Sequence, residues 1–218
     1  NMVNAPAPAA PMDHAADKVF GPAAMQVGRA HLLAEHGNIR WRKVTVETAE
    51  ARLSDGESGY AWEVGASFGG DINRLKLKTE GDSEGDEVHE AEFQALYGRA
   101  IDPYFDLELG LRQDLEPKSR TYAVLGVEGV APYWFEVGAA AFLSDRGDLS
   151  ARVEASYDLR LTQRLILEPT LELNLAAQDD PDLEISAGLS ELEAGLRLRF
   201  DLTPRVGPYV GVLHQRRF

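Results

Sequence analysis

The stretch Leu149–Leu175, LSARVEASYDLRLTQRLILEPTLELNL, decides how this chain folds. Its first half alternates. Leu149, Ala151, Val153, Ala155, Tyr157, Leu159 and Leu161 fall on one side, and Ser150, Arg152, Glu154, Ser156, Asp158 and Arg160 on the other. Successive side chains on a strand point to opposite faces, so the segment has one apolar and one ionic face. After a break at Thr162-Gln163-Arg164 the pattern resumes. Leu165, Leu167, Leu171, Leu173 and Leu175 oppose Glu168, Thr170, Glu172 and Asn174. The two halves read as a hairpin of strands about twice the usual 5–6 residues. A tilted strand of about 9–11 residues is what crosses a bilayer.

Alternation leaves open which face is inside. A soluble sandwich would bury the leucines, whereas a membrane barrel turns them to lipid and the charges to its lumen. From Trp41 onward the same period recurs in about eleven strand candidates, between Val44 and Phe218. The first, Val44–Leu53, slips in phase, which a β-bulge near Glu47 would explain. Short connections such as Gly69–Asp71 and Ala100–Pro103 alternate with acidic ones such as Ser54–Gly59, Gly81–Glu87 and Gln178–Asp182, expected to be longer. Trp41, Tyr104, Phe105, Tyr133, Trp134, Phe135 and Phe200 gather near the short-turn end, where an interfacial girdle would sit. A barrel of this many strands is too wide for side chains alone to fill, which fits a wet or ion-paired interior. The expected fold is therefore all-β: an antiparallel transmembrane β-barrel over 41–218, about twelve strands when complete. Even strand parity implies that the last strand falls beyond this chain.

Ahead of the barrel, residues 1–21 are rich in Ala and Pro and read as a flexible N-terminal tail. Pro22 then opens a short helix, Ala23–Glu35, closed by Gly37, giving a helical segment over 22–37. The composition sets further bounds. With 36 acidic against 22 basic residues the net charge is −14, which argues against nucleic acid and for a cation-attracting surface or lumen. There is no cysteine, hence no disulfide and no thiolate site. No apolar run approaches the ~18 residues of a membrane helix, which says nothing against strands.

Three groups could carry chemistry. Met12-Asp13-His14 places a thioether and an imidazole two apart, with Met2 and Met25 in reach, a donor pair suited to copper, especially Cu(I). On spacing alone the bland alternative, an incidental pair on a tail, is the commoner case. The acidic run Glu80, Asp82, Glu84, Asp86, Glu87, His89, Glu90 and Glu92 would concentrate divalent cations, with His89 as its one imidazole. It lacks the spacing of a calcium-binding loop and reads more readily as a solvated extracellular loop than as a defined site. The expected lumen sets Glu90, Glu92, Asp106, Glu108, Glu168, Glu172, Glu191 and Glu193 against Arg112, Arg152, Arg160, Arg197 and Arg199. These could form an ion-paired plug or a cation path, and the pattern does not choose.

Several long runs resemble the copper resistance protein B family. They include GGDINRLKLKTEGD, EFQALYGRAIDPYFDLELGLRQD, GVAPYWFEVGAAAFLSDRGDLSARVEASYDLRLTQRLILEPTLELNL, GLSELEAGLRLRF and PYVGVLHQRRF. MDHAADKVFGPAAM through LAEHG is similar to that family's N-terminal segment, so the likeness spans about Met12–Phe218. It implies a bacterial outer-membrane barrel of a copper-tolerance system, with copper ions, outer-membrane lipid and periplasmic copper-tolerance proteins as partners, and not an enzyme. It makes Met12 and His14 the leading copper ligands, with His89 beside them. The alternatives from other classes are an outer-membrane phospholipase-like hydrolase and a structural or general cation-selective barrel. If the leucine rows face hydrocarbon, the purified chain should stay monodisperse only in detergent or lipid. Size-exclusion chromatography showing a soluble monomer without amphiphile would invert the architecture.

Overall fold

A computed structural model describes residues 14–36, 39–54, 57–85, 87–181, 183 and 185–218. Met2, Met12, Gly37 and Asp86 lie outside the described residues. The chain divides at Arg40 into a helical unit and a sheet unit.

The helical unit holds α1 (Asp17–Phe20) and α2 (Pro22–Glu35). Proline stands in the first turn of α2, as the sequence predicts, where its missing N–H costs nothing. Gly21 joins the two helices with φ +81°, a left-handed conformation that glycine adopts without a Cβ penalty. Arg29 donates to Asp17 from Nη1 at 2.5 Å and from Nη2 at 3.3 Å, clamping α1 to α2. That bond holds the Asp17 carboxyl below the usual aspartate range.

The sheet unit is antiparallel throughout. Its strands are β1 (Trp41–Ser54), β2 (Glu57–Gly69), β3 (Asn73–Glu84), β4 (Glu87–Ala100), β5 (Phe105–Glu116), β6 (Arg120–Ala131), β7 (Phe135–Ser144), β8 (Leu149–Tyr157), β9 (Leu159–Arg160), β10 (Leu165–Ala176), β11 (Gly188–Phe200) and β12 (Tyr209–Arg217). Each pairs with the next in order, β9 being a two-residue continuation of β8 along β10. Among the described residues β1 and β12 are not hydrogen-bonded to each other. The expected slip at Glu47 is present: Val46 pairs with Val64 and Thr48 with Glu63, leaving Glu47 bulged. The extra residue lets Val44 and Val46 share an outer row with Ala49, Ala51 and Leu53 despite the broken alternation.

Side-chain reach shows that the sheet is curled. Neighbouring strands lie about 4.8 Å apart, so β4 and β8 would be about 19 Å apart in a flat sheet and β1 and β11 about 43 Å. Yet Arg152 on β8 reaches Glu92 on β4 at 3.2 Å, and Arg197 on β11 reaches Glu50 on β1 at 3.5 Å. The concave face carries the ionic rows and the convex face the apolar ones. On β5, Leu109 is 59% exposed while Glu108 beside it is 6% exposed. The concavity also holds one small apolar cluster, Leu96, Tyr122, Val124 and Phe142, all buried. The Tyr122 and Phe142 rings meet edge-on, 6.4 Å between centroids.

Loop length does not distinguish the two ends of the sheet, contrary to the expectation of short turns opposite long loops. The acidic connections are residues 55–56, 85–86, 117–119 and 145–148, and only 177–187 is long. Strands β1–β4 run on through residues whose alternation has faded, with Asp82 paired to Ala61 and Glu90, and Glu84 to Glu87. Backbone pairing there continues past the apolar belt of the convex face. At the opposite end Tyr133 and Trp134 both take left-handed backbone, φ 67° and 68°, with rings almost fully exposed. For such bulky residues this conformation stores strain of about 1–3 kcal/mol each.

Gly110 on β5 shows how tight the concave face is. A Cβ there would stand 2.1 Å from the Ala95 carbonyl oxygen and 2.8 Å from the Leu96 Cα, both backbone atoms. Gly110→Ala should therefore force β4 and β5 apart and cost about 1–3 kcal/mol. Urea unfolding in lipid vesicles should show a lower midpoint, whereas Gly138→Ala, where a new Cβ would meet only Glu154 side-chain atoms at 3.5 and 3.8 Å, should move it far less.

Candidate functional site

The concave face is organised around three cationic hubs. Lys76 on β3 donates to Glu108 at 2.6 Å and Glu128 at 2.8 Å, and lies 3.2 Å from Asp106. Lys78 joins the same Glu128 at 2.6 Å. Arg152 on β8 is buried and ion-pairs with Glu80 as well as Glu92, with Glu172 at 3.4 Å, and donates to Asn174 at 3.2 Å. Arg112 on β5 bonds Asp114 at 2.6 Å and Glu92 at 2.7 Å. Its guanidinium stacks on Phe142 and Tyr122, 5.0 and 5.3 Å from the ring centres. Burial of a charge is tolerated only with such partners.

These hubs divide the concavity. The side lined by β4–β7 is filled by the apolar cluster and the stacked Arg112. The side lined mainly by β1–β3, β8, β10 and β11 encloses a cavity of about 620 Å³. Twelve carboxylates and seven Lys or Arg side chains border it. Glu47, Glu63 and Glu154 enter it from β1, β2 and β8, and Thr48 donates to Glu63 at 3.4 Å.

The residues expected to face the lumen largely do so. The rows containing Glu90, Glu92, Asp106, Glu108, Glu168, Glu172, Glu191, Glu193, Arg112, Arg152, Arg197 and Arg199 are all concave. Arg199 bonds Glu168 at 2.5 Å and Asp158 at 2.7 Å, and Arg217 bonds Glu90 at 2.8 Å and Glu191 at 3.2 Å. Arg160 is exposed on β9. Sequence reasoning misses Lys76, Lys78, Glu128 and Glu80 in this set, while Glu154 lines the concavity as the ionic row of β8 predicts. Parity on β3 was the available signal, since Arg74, Lys76, Lys78 and Glu80 share a face.

None of the candidate copper ligands is a member of these hubs. Met12 is outside the described residues. His14 is half-exposed, its Nδ1 3.8 Å from Asp17 Oδ2. His89 is the bulged residue opposite Asp82 and Ser83 on β3, at the acidic end. Its Nε2 lies 3.9 Å from Glu84. With Asp82, Gln215 and Arg217 they line a recess of about 240 Å³, into which Arg217 brings a competing positive charge. Among the described residues no three His, Cys, Asp or Glu side chains converge as a metal cage.

The geometry defines a class: a curled antiparallel sheet, apolar outside and ionic within. The family model described as copper resistance protein B precursor (CopB) matches residues 40–218, the whole sheet unit. The chain belongs to the copper resistance protein B family. It is 45% identical over 162 residues to the Copper resistance protein B homolog of Pseudomonas syringae pv. tomato, covering 74% of this chain and 55% of that protein. It is 41% identical over 170 residues to Copper resistance protein B of Escherichia coli, covering 78% and 57%. The chain thus spans about half the length of the curated relatives it matches.

Arg152 holds three carboxylates together, so its loss should be costly. Arg152→Ala leaves Glu80, Glu92 and Glu172 facing one another without their shared cation, a penalty of about 3–5 kcal/mol. Urea unfolding in vesicles should show the drop. Pairing Arg152→Ala with Glu92→Gln should recover part of it, and no recovery would mean that lost packing on Phe142, 5.9 Å away, dominates.

Proposed function

We propose that this protein is an outer-membrane copper-tolerance barrel. It binds copper at the membrane and sequesters it or mediates its passage, without enzymatic chemistry. The observation that carries this reading is the inverted sheet. Rows of leucine and valine lie exposed on the convex face, while Lys76, Glu92, Glu108 and Arg152 are buried in the concavity. A soluble protein would place them the other way, and an apolar belt around a polar interior is what a lipid bilayer requires. Tyr133 and Trp134 support it. Their strained backbone holds two exposed aromatic rings at the rim, at the level where headgroups would meet the ring edges. The family points to copper, and its relatives bear the name copper resistance protein B.

On this reading the partners are copper ions, outer-membrane lipid and periplasmic copper-tolerance proteins. Met12 and His14 are the proposed copper ligands ahead of the sheet, with His89 at the acidic rim as a third. Thioether and imidazole are the softest donors in this cysteine-free chain, and copper is the metal they favour. The test is calorimetric titration of the detergent-purified protein with copper. Residues that merely orient a ligand cost about 10–100-fold in metal affinity when lost, so removing a ligand should cost at least about tenfold. Met12→Ala with His14→Ala should show that loss, and His89→Ala a separate one. Unchanged affinity in all variants would remove these residues from the copper site.

A further inference from the structure

The open side of the concavity has a donor set at odds with copper-specific chemistry. Within the sheet unit the chain has two histidines, no methionine and no cysteine. His89 sits in the recess at the acidic rim, and His214 lies on the convex row of β12 with Val210 and Val212. Among the described residues no histidine, methionine or cysteine borders the 620 Å³ cavity. Its charged and polar lining is carboxylate and hydroxyl oxygen with the cationic ends of Lys and Arg side chains, those of Lys76, Lys78 and Arg152 held in the hubs, and apolar groups such as Trp62, Leu77 and Leu171 fill in between. Its volume matches on the order of twenty waters at about 30 Å³ each, room for an ion with its hydration shell. Carboxylates outnumber cations by twelve to seven, so the field favours positive charge. Oxygen donors in a wet, roomy space hold hydrated divalent ions loosely, while Cu(I) calls for sulfur or imidazole.

We propose, on the barrel reading above, that the side of the lumen between β1–β3 and β8–β11 is a passage for hydrated divalent cations that does not discriminate copper from its neighbours. The β4–β7 side is sealed by Leu96, Tyr122, Val124 and Phe142 with Arg112 stacked on them. The Arg152 hub forms the wall between the two sides. Glu47, Glu63 and Glu154 set the charge preference from three strands of the open side, and none of them belongs to the copper ligands proposed above. The substrate of this route is thus Cu(II) in its aqueous form, and selection for copper occurs elsewhere in the protein.

The experiment is flux and reversal-potential measurement on the full-length protein reconstituted in planar bilayers and vesicles, using Cu(II), Zn(II), ascorbate-held Cu(I) and chloride. Copper binding is titrated on the same preparation. Cation-selective flux is expected, with Cu(II) and Zn(II) passing within about threefold of each other and Cu(I) lagging. The triple variant Glu47→Gln, Glu63→Gln, Glu154→Gln should cut the cation-over-chloride preference severalfold while leaving copper binding intact. Its folding is checked by the shift in gel mobility on heating. Should that variant fail to fold, each single substitution should lower the preference in smaller steps. Chloride selectivity, a Cu(I) preference, or Cu(II) favoured over Zn(II) by more than about tenfold would overturn the proposal. So would absent flux in protein that still binds copper, and in that case the copper-tolerance reading would stand without the passage. Loss of copper binding alongside intact non-selective flux would instead sink the copper-ligand assignment and leave the passage in place.

Discussion

A row of charges runs along one face of nearly every strand and must be paired where it is enclosed, and the rest of this structure follows from that constraint. Half the side chains of a long amphipathic strand are ionic, and a flat sheet would leave them on an open face. Curling lets strands that are distant in the sheet share ions. Arg152 on β8 meets carboxylates from β3, β4 and β10, and Lys76 on β3 meets carboxylates from β5 and β6. The contacts of Arg152 with Glu80 and Glu92, across five and four strands, are out of reach in a flat sheet. The cost of withdrawing these charges from water is offset only when several partners close around each cation, which is why they occur as hubs rather than isolated pairs.

Small residues decide where the interior fills. Gly98, Gly110, Gly126 and Gly138 lie on the concave rows of β4–β7. A Cβ at Gly98 would stand 3.2 Å from the Lys76 Cε, so the glycine makes room for the lysine stem that carries charge to Glu108 and Glu128. Large apolar groups then occupy what remains, and the guanidinium of Arg112 closes over them. The β8–β11 rows carry charged or polar residues at most of the equivalent positions, with Gly195 and Ile166 the exceptions. That side keeps its space. The asymmetry is a property of the inner rows alone and is invisible from the convex surface.

The fold was legible because the hydrophobic period is strong. The strands, their order and the bulge at Glu47 all follow from residues that alternate or fail to alternate at one place. The helix from Pro22 follows from its proline. What was not legible has a common cause. Strand ends such as 81–84 carry acidic residues on both faces, so pairing continues where the pattern has stopped. The four-residue helix at Asp17 is fixed by Arg29, twelve positions away. Partners across the concavity, such as Lys76 with Glu128, depend on curvature that no local pattern encodes. Leu96, Tyr122, Val124 and Phe142 hold ionic-row parity while being apolar, so their interior position reads only from cross-strand register.

Family membership and donor chemistry together divide the protein's work. Copper resistance belongs to the family, yet among the described residues no histidine, methionine or cysteine borders the cavity of the sheet that carries the family match. Carboxylates attract any divalent ion and hold none tightly unless they converge, and among the described residues they do not converge. A protein that must distinguish copper from abundant hard cations therefore needs its soft donors outside the lumen. In this chain those donors are concentrated ahead of Trp41, where Met12 and His14 stand, and at the rim, where His89 stands. On the function proposed above, recognition and enclosure fall to different parts of the molecule, the one by ligand softness and the other by charge.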